Sequence, residues 1–321
     1  MSVPANSSLA VSLIVALTLT CTPARAQSPV TALAFAPHET RLVAGSQSGI
    51  EIRRWPELQP VARRDLEIRS IHDLAFSPDS SRLLVGGGAP SEYGEWQIVS
   101  WPALEVVAKS ISHDDSIDSV AWLADDRFVT AGADSRCIVW KLSGETAEQV
   151  VAIDGHSRSV LSVEALRENN LFVTAGVDQV LRVWPADLPQ VESPQPIRKL
   201  DNHTGAVCAL ALCPVQRPLP LLASASVDKT VRLWQPTIGR LVKFARSPVE
   251  PTCLAWSRDG TRLAAGCADG KLRIINPATV QVDQTCHGVD GWIYSVCAAT
   301  DGSFVVGGTH GLITRVVPSS E

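Results

Sequence analysis

The sequence FVTAGADSRCIVW at Phe128–Trp140 returns, with substitutions, as FVTAGVDQVLRVW at Phe172–Trp184 and as LASASVDKTVRLW at Leu222–Trp234. In each copy Asp follows a hydroxyl residue by four positions, and Trp follows that Asp by six. A His precedes each copy, which gives three polar sets: His113, Thr130, Asp134 and Trp140; His156, Thr174, Asp178 and Trp184; His203, Ser224, Asp228 and Trp234. A period of about 40 to 50 residues with short strands and tight turns is typical of propeller repeats.

Each copy is predicted to form part of a four-stranded blade. Residues 128–132 and 137–140 are short and apolar on both faces, and the polar turn 133–136 between them indicates a hairpin. Strands of this kind need cover on both faces, which a blade between two other blades receives. The His, hydroxyl, Asp and Trp side chains would then be buried, where they can satisfy one another by hydrogen bonds.

These copies resemble WD40 repeats. Gly155-His156 matches the Gly-His start of that repeat, Asp178 its turn Asp, and Trp184 the Trp of its Trp-Asp end. The resemblance implies an all-β, seven-bladed propeller in which each polar set is a structural tetrad. It also implies a noncatalytic scaffold that binds protein or peptide partners. The Asp that follows Trp in the family is replaced in the three copies by Lys141, Pro185 and Gln235.

Weaker copies extend the series in both directions. Trp55 and Trp101 end two earlier repeats, and Ile275 and Val316 stand at the Trp position of two later ones. We therefore predict one domain of seven repeats, at approximately 30–66, 67–110, 111–152, 153–200, 201–245, 246–286 and 287–321.

Two loops depart from the repeat pattern. The hairpin loop of repeat 2, Gly87 to Glu95, is predicted to be longer than in the other repeats. Repeat 5 carries an insertion, Pro214 to Pro220, which we expect on the surface because proline cannot donate to a strand ladder.

The first 26 residues read as a secretory signal peptide. Leu9 to Cys21 is an apolar run too short to span a membrane, and Ala24-Arg25-Ala26 offers an Ala-x-Ala cleavage site before Gln27. The segment before the run contains no Lys or Arg. We expect an exported protein, periplasmic or extracellular, whose mature chain is residues 27–321.

Cleavage at that site would leave too few residues to supply a further strand to repeat 7. The last blade is therefore expected to have three strands. Its open edge could pair with another chain or be left to solvent.

Composition and motifs argue against several functions. A net charge of −5 and the lack of a basic run give no case for nucleic-acid binding. The sequence has no haem-attachment, zinc-protease, serine-hydrolase or phosphate-loop motif, so we expect neither catalysis nor a cofactor. His113-Asp114-Asp115 with Asp118 could suggest a metal cluster, and each His-Asp-hydroxyl set a hydrolase triad. The repeated position of these residues favours a structural role.

Candidate partner-binding residues lie where the innermost strands begin. Aligning these strands gives one position per blade, occupied by Thr31, His72, Asp118, Leu161, Cys208, Thr252 and Tyr294. From this ring and the adjacent loops we select His72, Asp115, Asp118, Arg158, Trp292 and Tyr294, because aromatic and Arg residues are common interface anchors.

Other functions stay open at this point. The chain resembles exported bacterial WD40 proteins that accompany c-type cytochrome modules, so a c-type cytochrome-containing protein is one candidate partner. Alternatives are a propeller enzyme of the lactonase or quinoprotein kind, and a structural subunit that completes its last blade with a partner strand.

Seven cysteines remain after cleavage, and most lie in apolar segments where a buried thiol acts as a small hydrophobe. If one disulfide forms, Cys253 with Cys267 is the pair we would name, because they lie on adjacent predicted strands.

Overall fold

The computed structural model describes residues 28–36, 40–188, 190–191 and 193–319. Within these residues the chain forms seven antiparallel sheets, six of four strands and one of three, each built from strands consecutive in sequence. The predicted all-β, seven-bladed propeller is confirmed. The predicted leader lies outside the described residues, and so do Gln27, Pro37 and the last two residues of the chain.

Each sheet is one blade, and its first strand is the innermost. Blade 1 comprises β1 (Val30–Phe35), β2 (Arg41–Ser46), β3 (Gly49–Arg54) and β4 (Gln59–Arg64). Blade 2 comprises β5 (Ile71–Phe76), β6 (Arg82–Ala89), β7 (Tyr93–Ser100) and β8 (Val106–His113). Blade 3 comprises β9 (Ile117–Ala124), β10 (Arg127–Gly132), β11 (Cys137–Ser143) and β12 (Thr146–Ile153). Blade 4 comprises β13 (Val160–Leu166), β14 (Leu171–Gly176), β15 (Leu181–Pro185) and β16 (Arg198–Leu200).

The remaining blades follow the same order. Blade 5 comprises β17 (Val207–Leu212), β18 (Leu222–Ser226), β19 (Thr230–Gln235) and β20 (Arg240–Arg246). Blade 6 comprises β21 (Pro251–Trp256), β22 (Leu263–Cys267), β23 (Lys271–Ile275) and β24 (Val282–His287). Blade 7 comprises β25 (Ile293–Ala298), β26 (Phe304–Gly308) and β27 (Ile313–Val316). Two 3-10 turns, Arg167–Asn169 and Thr309–Gly311, lie in blades 4 and 7.

The apolar core lies between neighbouring blades. Val129 and Thr130 point to opposite faces of β10, and both are fully buried. Among the described residues each of the seven blade interfaces has its own apolar cluster. The blade 7–blade 1 cluster is the smallest, with five buried residues against ten to fifteen in the others. Packing of β1 against β25 and β26 closes the ring.

The two unusual loops have different outcomes. The insertion from Pro214 to Pro220 lies between β17 and β18, outside the strands, as predicted. The prediction of a long loop from Gly87 to Glu95 is wrong. Gly87 pairs with Glu95, so the ladder continues and the turn is reduced to residues 90–92. Glycine places no side chain in the way of this extension, and Gly88 adopts a positive φ of 140°.

Blade 7 has three strands among the described residues, as predicted. The cysteines do not form the suggested disulfide. Cys253 lies opposite Gly266 and Cys267 opposite Pro251, so the two thiols belong to different cross-strand pairs, and both are free. Both are also buried.

Candidate interaction face

The three polar sets are each joined by hydrogen bonds. In blade 4, His156 Nδ1 lies 3.0 Å from Asp178 Oδ1, and its Nε2 lies 2.8 Å from Thr174 Oγ1, which accepts from Trp184 Nε1 at 2.9 Å. The network assigns the proton to Nδ1, so that indole, hydroxyl, imidazole and carboxylate form one chain of donors and acceptors. The same series of hydrogen bonds joins the other two sets: His113, Asp134, Thr130 and Trp140; His203, Asp228, Ser224 and Trp234.

The charges of a tetrad are fixed by burial and by its partners. Burial raises the pKa of the Asp178 carboxyl, but the His156 hydrogen bond and the nearby Arg182 outweigh it and hold the pKa at about 2. Burial, with the charge of Arg182, lowers the pKa of His156. The set is therefore an ionised Asp beside a neutral His at pH 7. The hydroxyl of Thr174 is taken up by this network and is buried, unlike a nucleophile that must reach a substrate.

Sequence reasoning missed one further member of these networks. An Arg lies four residues after the turn Asp in blades 4, 5 and 6. Arg182 Nη1 is 2.8 Å from Asp178 Oδ2, and Arg273 forms a bidentate pair with Asp269 at 2.9 and 2.7 Å. The Asp-to-Arg spacing in the sequence could have found them. In blade 6, where the Trp and hydroxyl are missing, this ion pair replaces the tetrad.

Two sets of loops meet on one side of the propeller, which we call the loop face. They are the connections into the innermost strands and the hairpins between second and third strands. In six blades a hairpin N–H donates to the carbonyl just before the innermost strand, as Ala133 does to Ser116 (2.9 Å) and Thr309 to Trp292 (3.1 Å). The approach is close, since a Cβ on Gly176 would lie 2.0 Å from Ser159 O. The tetrad Asp carboxylates also bind amides of these connections, as Asp178 binds Ser157 N at 3.3 Å.

A β-bulge occurs in every innermost strand. In each blade the register shifts by one residue near the beginning of the strand. A bulge takes one residue out of the ladder and redirects its side chain. The bulged residues are those aligned in the sequence as one position per blade: Thr31, His72, Asp118, Leu161, Cys208, Thr252 and Tyr294.

All seven ring residues line the central channel, which encloses about 350 Å³. Some of them also tie neighbouring blades together. His72 Nδ1 donates to Ile117 O at 3.0 Å and lies 3.3 Å from Asp118 Oδ1, and Thr252 Oγ1 donates to Ile293 O at 2.5 Å. Thr31 makes the corresponding bond to Ile71 O. These side chains therefore stabilise the ring as well as forming the channel mouth.

The other selected residues differ in their surroundings. Asp115 Oδ1 accepts from Ser91 N at 2.6 Å and from Ser116 N at 2.7 Å, which fixes the blade 2 hairpin. Arg158 is exposed in the connection into blade 4. His113, Asp114 and Asp118 do not converge, since His113 lies in a tetrad while Asp114 is exposed and pairs with Arg136 at 3.5 Å.

Blade 7 supplies the exposed aromatic part of the loop face. Trp292 is 53% exposed and Tyr294 is 38% exposed. Their ring centroids are 6.2 Å apart at an interplanar angle of 34°. The backbone N–H of Trp292 donates to Thr309 Oγ1 at 2.8 Å, which ties this connection to the hairpin of blade 7. The pair is an exposed aromatic projection beside the channel mouth.

Two acidic side chains in the channel were not predicted. Burial raises the pKa of Asp73, which accepts from Val120 N at 2.9 Å and Ser119 Oγ at 2.8 Å in the next blade. Burial also raises the pKa of Glu164, to about 8, with Arg167 opposing the shift. The residues equivalent to Glu164 in the neighbouring blades are Ala121 and Ala211. Periodicity could not reveal either position, because both depend on which face of the innermost strand meets the channel.

The described residues include no cluster of three or more His, Cys, Asp or Glu side chains arranged to hold a metal ion. Among the helices of the same part of the chain, none is long and apolar enough to cross a membrane.

Comparison with known proteins gives four repeat matches and several distant relatives. The family model described as "WD domain, G-beta repeat" matches residues 105–141, 147–185, 194–235 and 242–276. Apoptotic protease-activating factor 1 of Rattus norvegicus is 26% identical over 230 residues, covering 67% of this chain and 17% of the relative. Telomerase protein component 1 of Rattus norvegicus is 26% identical over 304 residues, 88% of this chain and 11% of the relative.

A third relative is similar in a larger part of its own length. "Cell division cycle 20.1, cofactor of APC complex" of Arabidopsis thaliana is 24% identical over 200 residues, 62% of this chain and 43% of the relative. The chain thus spans less than half of each of these three relatives. Its tetrads, its seven blades and the four matched repeats lead to one conclusion: the chain belongs to the WD40 repeat family.

Proposed function

We propose that this protein is an exported, noncatalytic scaffold that binds a protein or peptide partner on its loop face. The observation that carries the proposal is the exposed aromatic pair Trp292 and Tyr294 at the channel mouth. Large aromatic side chains bury much apolar area on binding and lose little conformational freedom, because they have only two side-chain torsions. WD40 proteins are typically protein-interaction scaffolds, which supports this use of the face.

The proposal gives the selected residues different roles. Trp292 and Tyr294 are the anchors, and Arg158 supplies a charge on the blade 4 side of the mouth. His72 and Asp118 face the partner through the channel mouth while tying blades 2 and 3. Asp115 acts indirectly by shaping the blade 2 hairpin.

Export is supported by the leader-like sequence that ends at Ala26. A periplasmic or extracellular location follows if the leader is removed. The N-terminal mass of the protein recovered from the exported fraction tests this part, and a chain that begins at Gln27 is expected. A chain that retains Met1 and stays inside the cell would contradict export.

Partner binding is tested by affinity capture from the exported fraction with the wild type and two variants. Trp292→Ala is expected to lower the affinity for the partner by about 30-fold or more, since a central anchor contributes at least about 2 kcal/mol to binding. The matched control is Phe244→Ala, because Phe244 is an aromatic residue that is 42% exposed on β20, the outermost strand of blade 5. Equal retention of the partner by both variants would contradict the proposal.

The partner's identity is part of the same experiment. A c-type cytochrome-containing protein is the candidate suggested by the resemblance to exported bacterial relatives. Its haem absorbance in the captured fraction, lost with Trp292→Ala, is the expected sign.

A further inference from the structure

The outer edge of blade 7 differs from the same position in the other blades. Among the described residues β27 pairs with β26 on one side only, whereas every other third strand lies between two strands. Ile313 pairs with Gly307 and stands where blades 3 to 6 place Cys137, Leu181, Val231 and Leu272. Those four side chains are at most 1% exposed, and Ile313 is partly exposed.

In blades 3 to 6 one residue of the fourth strand lies directly opposite this position. It is apolar in all four blades: Ile153, Leu200, Ala245 and Cys286. The residues that begin the fourth strand are largely exposed, as in β12. The strand that would complete blade 7 is thereby defined as polar at its beginning, with an apolar side chain opposite Ile313.

The space beside Ile313 is open. A groove of about 610 Å³ runs between the beginning of β27 and blade 1, and Ser28, Val30, Arg63 and Ile313 contribute to its lining. Blade 7 and blade 1 also share the smallest apolar cluster of the ring. Leu312 and Val317 on either side of β27 are exposed, Val317 to 65%. A fourth strand would cover this apolar surface.

The described residues that flank the propeller do not form that strand. After β27 the chain turns towards blade 6, where Gln284 Nε2 donates to Ser319 O and Ser319 N donates to Gln284 Oε1, both at 2.9 Å. Before β1, the sequence can be compared with the other fourth strands. In blades 3, 4 and 6 the apolar residue of the fourth strand lies seven positions before the first residue of the next innermost strand. The residue seven positions before Val30 is Pro23. Proline supplies no N–H to a ladder. Cleavage after Ala26 would remove this segment altogether.

We propose that blade 7 is completed by an extended segment of a different polypeptide, which pairs with β27 and places an apolar side chain in the groove opposite Ile313. Backbone hydrogen bonds to the open edge supply affinity, and the single apolar side chain supplies specificity. The lining carries both signs of charge, Glu51 with Arg53 and Asp65 with Arg63, so the segment needs no net charge. The inference rests on the proposed export, because cleavage after Ala26 would remove the N-terminal residues that could otherwise pair with this edge.

The test uses the protein beginning at Gln27, which contains all seven described blades, and a synthetic peptide as the probe. The peptide copies Thr146–Ile153, whose last residue covers Cys137 in blade 3. Hydrogen exchange of the β27 amides is measured with and without millimolar peptide, and β23 in blade 6 is the internal reference. Binding is expected to slow exchange in β27 by about tenfold and to leave β23 unchanged.

A control peptide with Ile153→Asp keeps the backbone but is expected to give no protection. Equal protection by both peptides, or protection by neither, overturns the proposal. The unprocessed chain beginning at Met1 is measured alone, and β27 amides already protected in it would assign the edge to the chain's own N-terminal segment. Protection that rises with protein concentration, with a dimer in sedimentation, would assign it to a second copy. Either result overturns the proposal but does not test export. Export is tested separately by the N-terminal mass of the protein recovered from the exported fraction.

Discussion

Replacing Asp178 by Ala tests the idea that the tetrads stabilise the blades. The Asp178 side chain is buried and accepts from His156 Nδ1 (3.0 Å), Arg182 Nη1 (2.8 Å) and the amide of Ser157 (3.3 Å). A pKa lowered from 3.8 to about 2 corresponds to about 2 kcal/mol of stabilisation at about 1.4 kcal/mol per pKa unit. The variant also leaves Arg182, which is 8% exposed, without its carboxylate. We therefore expect the free energy of unfolding to fall by about 2 to 4 kcal/mol.

Urea unfolding at pH 7, followed by tryptophan fluorescence, measures this loss. The matched control is Asp114→Ala, because the Asp114 side chain is 91% exposed and a surface change of this kind costs no more than about 0.5 kcal/mol. Asp269→Ala is expected to lie between the two, since Asp269 binds Arg273 but no His or Trp chain. A loss below about 1 kcal/mol for Asp178→Ala would refute the structural role of this tetrad.

Three further outcomes follow from the buried titratable groups. Burial lowers the pKa of His156 below 6.5, so the unfolded chain binds more protons and stability should fall as the pH drops below about 6.5; urea midpoints at pH 7.5 and pH 5 check the sign. Glu164 acts in the opposite direction, because burial raises its pKa from 4.5 to about 8. Between these values the folded protein binds more protons than the unfolded chain, so the free energy of unfolding falls as the pH rises. Glu164→Gln should therefore be more stable than the wild type at pH 8.5 and nearly equal to it at pH 4.5, and a pH-independent difference would contradict this. Burial raises the pKa of the Cys253 thiol to about 12, so iodoacetamide at pH 8 should label the less buried Cys286 first in the native protein, as peptide mass mapping can show.

The fold could be predicted from the sequence because its repeat signal coincides with physical contacts. The spacing of four and six residues that sets Thr174, Asp178 and Trp184 apart is the spacing of a hairpin whose side chains meet on one face. Seven end markers at similar intervals then fixed the number of blades. The hairpin loop of blade 2 was predicted wrongly. The glycines from Gly86 to Gly88 are typical of a loop in sequence, but in the structure they extend the β-ladder.

The interaction face was less accessible to sequence reasoning. The alignment found the ring positions, but it could not show that each is a bulge, since a bulge is defined by its register with the next strand. It also could not show that His72 bonds the neighbouring blade, or that Glu164 lines the channel where the neighbouring blades have Ala121 and Ala211. Those facts depend on the order of blades around the ring rather than on any one repeat.

The seven bulges bear on how such a protein can diversify. A residue outside the ladder can be exchanged without moving the alternating residues that follow it, so each blade offers one position that is separate from its core. Among the described contacts, Leu161 and Cys208 donate no side-chain hydrogen bond to a carbonyl of the next blade, so they are the least constrained of the seven. Thr31 and Thr252 do donate such a bond and are the most constrained. Natural drift or directed selection at the channel mouth should therefore accumulate changes at Leu161 and Cys208 while the blade count and the tetrads stay fixed.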